Sequence, residues 1–112
     1  MSDAKVAVKN DGDKWRMSLM SCIMIREVGR VLEFGARKYA IHNWRKGFNW
    51  TRLFDACQRH LIAWMAGESI DPESKLPHLA HAICNLMFLL EFQFTGKGVD
   101  DRFPVPEYLS VD

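Results

Sequence analysis

The segment PHLAHAICNLMFLLEF, residues 77–92, constrains this chain more than any other. From Leu79 to Leu90 it is almost uniformly apolar, and the two exceptions are His81 and Asn85. Residues three or four apart share a helix face, so His78, His81 and Asn85 form one polar stripe on a helix that is otherwise predicted to be buried. An unpaired buried polar group costs about 1–3 kcal/mol. The stripe is therefore predicted to be either a functional site or a costly structural network.

The remaining periodicity is helical as well, and no segment has the alternation of a strand. Three main helices are predicted, at about residues 18–39, 50–66 and 76–95. The fold class is therefore all-α, a small helical bundle within one domain. The predicted division is a flexible N-terminal arm, the all-α domain and an extended C-terminal tail: residues 1–13, 14–96 and 97–112. A chain of this size buries only about two-thirds of its unfolded surface, so the bundle is predicted to be completed by oligomerisation, as a dimer or tetramer.

Charge and composition exclude several classes of partner. The formal net charge of the 112 residues is +1, so no global field favours a nucleic acid polymer or a membrane. The longest apolar run is too short to cross a bilayer, and no signal peptide is recognised. Cys22, Cys57 and Cys84 are odd in number and widely separated, which is typical of buried free thiols in a reducing compartment. We therefore expect a soluble cytoplasmic protein.

Each predicted helix places an ionisable group on its inward face: Glu27 on the first, His60 on the second, His78 and His81 on the third. Facing helices of a bundle commonly build metal sites from such side chains. The pattern predicts a divalent ion, and imidazoles suit Zn, Mn, Fe or Co better than Mg. The alternatives are histidines satisfied within the core or bonded directly to a substrate, and a Glu27 paired with a base such as Arg59.

The acidic loop between the second and third helices offers Glu68, Asp71 and Glu73 as further ligands or as a general base. The competing interpretation is a solvated turn that begins with an Asp-Pro signal. Ser74 is a candidate cap for the third helix.

Basic and aromatic residues alternate in two neighbouring segments. Arg37, Lys38 and Tyr39 end the first helix, and Asn43 and Trp44 follow in the loop. Such a mixture neutralises phosphates while a ring stacks on a base. Neither GxxxxGK[ST] nor GxGxxG is present, so side chains would have to hold the phosphates. Alternatively, the two aromatic residues pin the loop onto the bundle.

Several strings occur in an order that resembles a known family: DKWR, EVGRVLEFGARKY, NWRKG, RHLIAW, GESIDPES, HLAHAICNLMFLLEF and DDRFP. Over residues 13–104 the chain resembles the bacteriophage-associated N-terminal domain of dATP/dGTP diphosphohydrolases. It is more distantly similar to the MazG-like all-α nucleotide pyrophosphohydrolases, which bind Mg through carboxylate pairs on facing helices. His78 and His81 stand where that group has carboxylates, which departs from its pattern.

The resemblance implies metal-dependent hydrolysis of a purine deoxynucleoside triphosphate to monophosphate and pyrophosphate, in the host cytoplasm if the protein is phage-encoded. The divalent ion (Mg, Mn, Co or Zn) would be held by Glu27, His60, His78 and His81. Glu68 or Asp71 would act as general base. The triphosphate and base would be bound by eight residues: Lys14, Arg37, Lys38, Tyr39, Asn43, Trp44, Arg59 and Asn85. The alternatives are a nucleotide-binding protein without turnover, such as a sponge or inhibitor, and a helical interaction module.

Overall fold

The computed structural model describes residues 6–104, in which the chain forms three α-helices. Helix α1 spans Cys22–Lys38, α2 spans Trp50–Met65 and α3 spans His78–Thr95, with short 3-10 turns at Met17–Leu19 and Asn43–Lys46. Within the described residues no strand forms, and two isolated bridges are the only extended pairings. The predicted all-α fold with three main helices is confirmed. Residues 1–5 of the predicted arm and 105–112 of the predicted tail lie outside the described residues.

Helix α1 begins four residues later than predicted, because Ser21 provides its N-cap. The Ser21 hydroxyl accepts a hydrogen bond from the Met24 amide at 3.2 Å, which satisfies one of the amides that have no partner within the helix. Val28 and Val31 are buried on the inner face. Four charged residues of the same helix are exposed: Arg26, Arg30, Glu33 and Arg37.

Helix α3 packs against both other helices. Small buried residues, Ala80, Ala82 and Cys84, allow this close approach from two sides. Val28, Val31 and Leu76 join Ala80 and Cys84 in the core between α1 and α3. On the α2 side, the Cys57 thiol contacts the Ala82 carbonyl oxygen at 3.6 Å.

Two predictions about burial are wrong. Cys22 is exposed, while Cys57 and Cys84 are buried. Helix α3 is apolar all round yet not buried all round, because α1 and α2 leave one of its faces uncovered. On that face Leu86 is 54% exposed, Leu90 56% and Phe94 85%. Despite this apolarity, no helix among residues 6–104 has the length and hydropathy needed to cross a bilayer.

The start of α2 is held by the segment that follows α3. Asn49 occupies the N-cap position of α2, but its side chain makes no capping bond. The Asp101 carboxylate caps the helix instead. It accepts hydrogen bonds from the Thr51 amide at 2.9 Å and from the Thr51 hydroxyl at 2.6 Å. The Trp50 indole also donates to the Lys97 carbonyl at 2.9 Å. Residues 97–102, predicted to be part of an extended tail, therefore anchor the second helix.

Two glycines allow this anchoring. Gly98 has a φ of 74°, and a Cβ at this position would collide with the carbonyl oxygen of Phe48. Gly47 in turn has a φ of 96° and lies against the Gly98 backbone. The segments approach so closely that neither position has room for a side chain.

Gly98→Ala and Gly96→Ala form a matched pair that tests this packing. Both glycines have a φ of 74°, but a Cβ at Gly96 would meet nothing within 4 Å. Gly96→Ala should cost about 1–2 kcal/mol from left-handed strain alone. Gly98→Ala should cost a further ~1–3 kcal/mol from the steric clash. Equal losses of unfolding free energy in urea melts would contradict the close approach.

Candidate functional site

Three histidine rings from α2 and α3 converge in one cluster. The His60 and His81 rings are stacked with centroids 4.5 Å apart and planes 6° from parallel. Nδ1 of His60 lies 2.8 Å from Nδ1 of His78. The predicted convergence of His60, His78 and His81 therefore describes the structure correctly. It follows from the helical spacing, since α2 and α3 pack with these faces together.

A carboxylate from the loop between α2 and α3 extends the cluster. Glu68 accepts from Nε2 of His78 at 2.6 Å. Only 5% of the His78 side chain is exposed, against 49% of that of Glu68. The buried ring thus has both nitrogens hydrogen-bonded, one to Glu68 and one to His60, which removes the cost of burying them.

His81 has a different set of partners in the same loop. Its Nε2 lies 2.7 Å from the Ser74 hydroxyl. Ser74 in turn donates to Asp71 Oδ2 through its hydroxyl at 2.8 Å and its amide at 3.0 Å. The prediction that Ser74 caps α3 is therefore wrong. Ser74 instead links Asp71 to His81. An Asp three residues before a Ser is a sequence signal for a bond from the Asp side chain to the backbone nearby, and it could have predicted the Asp71–Ser74 contact.

Burial governs the charge state of the cluster. Desolvation lowers the pKa of His60, and the neighbouring His81 and His78 lower it further. Desolvation likewise lowers the pKa of His81, against the opposing effect of Asp71. Burial acts to raise the pKa of Asp71, but the Ser74 hydroxyl and amide bonds outweigh it and lower that pKa. These shifts favour neutral imidazoles at His60 and His81 beside an ionised Asp71.

Glu27 does not join the histidines. It binds Arg26 at 3.0 Å and Arg30 at 3.0 Å within its own helix, and these two arginines lower its pKa. The alternative prediction that Glu27 forms an ion pair is therefore confirmed, but its partners are Arg26 and Arg30 and not Arg59. Two neighbouring guanidinium groups satisfy this carboxylate without any ion.

The predicted metal ligands do not fit a metal site as arranged. Both nitrogens of His78 are hydrogen-bonded, and Glu27 is neutralised by arginines. In the part of the chain from residue 6 to residue 104, no three His, Cys, Asp or Glu side chains are grouped so as to hold an ion. The divalent ion stays a prediction.

A pocket of about 610 Å³ lies beside the cluster, between α1, the 43–46 turn, α2 and α3. His60, His81, Asp71 and Glu73 are among its lining residues. Phe34 and Phe88 supply apolar walls. This volume is in the range of small-molecule sites, and its apolar lining with a few polar groups is typical of them.

The predicted substrate residues divide into two groups. Five of the eight line the pocket: Lys38, Tyr39, Asn43, Trp44 and Asn85. Lys14, Arg37 and Arg59 are exposed and are not among its lining residues. Arg37 is bound to Glu33 at 3.1 Å on the outer side of α1. Helical spacing explains the difference, because Arg37 and Lys38 project about 100° apart.

Two of the lining residues already have structural partners. The Trp44 ring stacks on Phe88 with centroids 4.5 Å apart, and Arg45 lies over it at 4.4 Å. The alternative prediction that Trp44 pins the loop onto the bundle therefore describes its packing. Asn85 donates its Nδ2 hydrogen to the His81 carbonyl at 3.0 Å. Phe88 was not predicted, since nothing local marks it as a pocket residue.

A family model described as dATP/dGTP diphosphohydrolase, N-terminal, matches residues 4–102. The chain belongs to this family. A dATP/dGTP diphosphohydrolase of Salmonella phage PMBT28 is 37% identical over 95 residues, which make up 85% of this chain and 32% of that protein. The chain thus spans about a third of the length of this relative. No solved structure matches the chain.

Stability should depend on the neutral histidines. His60 and His81 have pKa values below the ordinary 6.5 in the folded chain, so below about pH 6.5 the unfolded chain binds more protons and stability falls. The melting temperature should therefore be highest above about pH 7 and drop by several degrees towards pH 5.5.

The matched comparison for this pH dependence is His81→Gln against His42→Asn. The first substitution should flatten the dependence because it removes one titrating ring. The second alters an exposed histidine outside the cluster and should keep the wild-type slope. A wild-type melting temperature that does not change over this pH range would contradict the buried neutral cluster.

Proposed function

We propose that the pocket binds a purine deoxynucleoside triphosphate and that the protein hydrolyses it to monophosphate and pyrophosphate. The observation that carries this proposal is the adjacency of an apolar pocket, a lysine and a carboxylate-supported histidine cluster. Family membership supports the same substrate class, since the phage relative is named for dATP and dGTP.

The phosphates would be bound near Lys38. Its ammonium group pairs with Glu73 at 2.9 Å across the pocket, and this carboxylate raises its pKa. Both side chains are largely exposed, so the pair is weak and a polyanion can displace Glu73. The bound phosphates would then share the pocket with Asp71 and His81, which also line it.

The base would occupy the apolar part of the pocket. Phe34 and Phe88 line it, and Asn43 and Asn85 provide polar groups. The Asn85 amide is oriented by its bond to a carbonyl, which can only accept. Its Oδ1 is therefore left as an acceptor for an N–H donor, such as the exocyclic amino group of a purine.

The two predicted general bases occupy distinct positions. Asp71 lines the pocket, whereas Glu68 contacts the buried His78. We propose that both carboxylates act on the reaction through the histidines that they orient. The divalent ion stays a prediction from the sequence, and hydrolysis measured with Mg, Mn or Co and with excess EDTA tests it.

A second candidate, nucleotide binding without turnover, is favoured by the bonds that the predicted metal ligands already make within the chain. His78 is bonded to His60 and Glu68, and Glu27 is paired with Arg26 and Arg30. Calorimetry that shows nucleotide binding, together with no pyrophosphate release under any metal condition, would establish this alternative.

We also propose that the protein self-associates through the uncovered face of α3. Leu86, Leu90 and Phe94 recur at intervals of four residues and are all more than half exposed. Such a stripe on a helix that is apolar all round is typical of a face covered by another helix. A second copy would supply the same stripe in a two-fold arrangement.

Nucleotide binding is tested by two neighbouring cations with different positions. Lys38→Gln removes the lysine of the pocket and should raise the Kd for dATP or dGTP about tenfold, the loss of roughly one charge-assisted contact. Arg37→Gln removes the same charge one residue earlier, outside the pocket lining, and should leave Kd within about twofold. Equal effects in titration calorimetry, or no binding by the wild type, would contradict the proposed pocket.

Self-association is tested by placing a charge on the α3 stripe. Leu90→Glu should shift the wild-type oligomer towards monomer in analytical ultracentrifugation, because the carboxylate would be buried without a partner. Leu19→Glu, which alters a leucine that is 74% exposed outside α3, is the control and should keep the wild-type mass. A monomeric wild type at high micromolar concentration would refute the proposal.

A further inference from the structure

Hydrogen-bonding rules determine the tautomers of the histidine cluster. An ionised carboxylate only accepts, so Nε2 of His78 must donate to Glu68. His78 is only 4% exposed, and a charged ring is costly to bury. The neutral ring has one N–H, which leaves Nδ1 of His78 as an acceptor. Nδ1 of His60, 2.8 Å away, must then be the donor. Nε2 of His60 is consequently unprotonated and carries a lone pair.

This lone pair is available to the pocket. Nε2 of His60 has no hydrogen-bond partner within residues 6–104, and no buried side-chain nitrogen or oxygen in that range lacks one. Since His60 is only partly buried, its Nε2 must be reached by solvent. His60 lines the pocket while His78 does not. Because Nδ1 is bonded to His78, which is not a lining residue, Nε2 is the nitrogen of His60 that is left to face the pocket.

We propose that Nε2 of His60 is the general base of the hydrolysis, with His78 and Glu68 as positioning residues that hold it in this tautomer. The inference rests on the proposed function. A water molecule gives its proton to Nε2 while its oxygen forms a bond to the α-phosphorus. The bond from that phosphorus to the bridging oxygen breaks, and its electron pair leaves with pyrophosphate. The imidazolium then returns its extra proton to solvent.

The carboxylate at the far end of the chain of hydrogen bonds stabilises this imidazolium. Its positive charge is shared along the bond to His78, which remains bonded to the negative Glu68. The titratable and charged groups that face His60 come from α2, α3 and the loop between them: Arg59, His78, His81, Asp71 and Glu68. Burial, His81 and His78 lower the pKa of His60, so the ring is neutral at pH 7 and ready to accept a proton.

The tautomers can be measured without any activity. Nitrogen-15 NMR of the histidine rings in the nucleotide-free wild-type protein should show a proton on Nδ1 of His60 and on Nε2 of His78. His60→Asn assigns the signals. A proton on Nε2 of His60 at neutral pH would overturn the proposal, whatever the protein hydrolyses.

The catalytic role is tested by pyrophosphate release from dATP and dGTP. His60→Asn should lower kcat by about 10²–10⁴-fold, as expected for loss of a general base, with little change in KM. Asp55→Asn, on the exposed side of α2, is the control and should match the wild type. An unchanged kcat in a folded His60→Asn protein would overturn the proposal and leave the proposed function intact.

Glu68→Gln is the second variant, chosen because half of the Glu68 side chain is exposed and the fold should tolerate its replacement. Loss of the negative charge should lower kcat and move the acidic limb of the kcat profile to lower pH, because the imidazolium is less stabilised. A merely structural role would leave that limb in place. Wild-type protein that shows the expected tautomers but hydrolyses neither nucleotide would refute the proposed function, and the catalytic role of His60 with it.

Discussion

The hydrogen bond between His60 and His78 is the interaction on which the candidate site depends. His78 is 4% exposed, and a buried imidazole is tolerated only if both nitrogens have partners. Meeting that requirement joins α2, the start of α3 and the acidic loop, because one partner is His60 and the other is Glu68. The same bonds determine which nitrogens carry protons. The hydrogen bonds that make burial of the His78 ring tolerable thus also fix the tautomers of His78 and His60.

The rest of the fold holds this arrangement with a small core. Helix α3 packs against α1 and α2, and the residues that allow close contact are small ones such as Ala80 and Ala82. Residues 97–102 return to the start of α2, where Asp101 caps Thr51. The segment after α3 therefore stabilises the bundle through its contacts with α2. One face of α3 stays uncovered. A helix that is apolar all round needs a further neighbour, which is the physical basis for proposing a second copy.

The site differs in kind from one built around carboxylate pairs on facing helices. Its inward groups are imidazoles, of which His60 and His81 have lowered pKa values, and carboxylates from the loop contact His78 and His81. Membership of the dATP/dGTP diphosphohydrolase N-terminal family gives the substrate class to be tested. The chemistry inferred for that substrate depends on the order of hydrogen bonds from Glu68 to His60. In the proposed reaction, this series of hydrogen bonds prepares His60 to activate a water molecule beside a phosphate bound at Lys38.

The amino-acid sequence by itself determined the three helices, their inward faces and the shared stripe of His78, His81 and Asn85, because helical spacing places residues of one helix on one side whatever the tertiary contacts are. The packing of α2 against α3 decided that His60 meets this stripe. The sequence could not show that Glu27 pairs with Arg26 and Arg30. Nor could it show that Ser74 links Asp71 to His81. It also left open that Asp101, and not Asn49, caps the start of α2. Periodicity gives the face of a residue but not which of several polar groups it bonds. Competition between partners is settled by loop conformation and by distances across the chain, and these exist only in the folded structure.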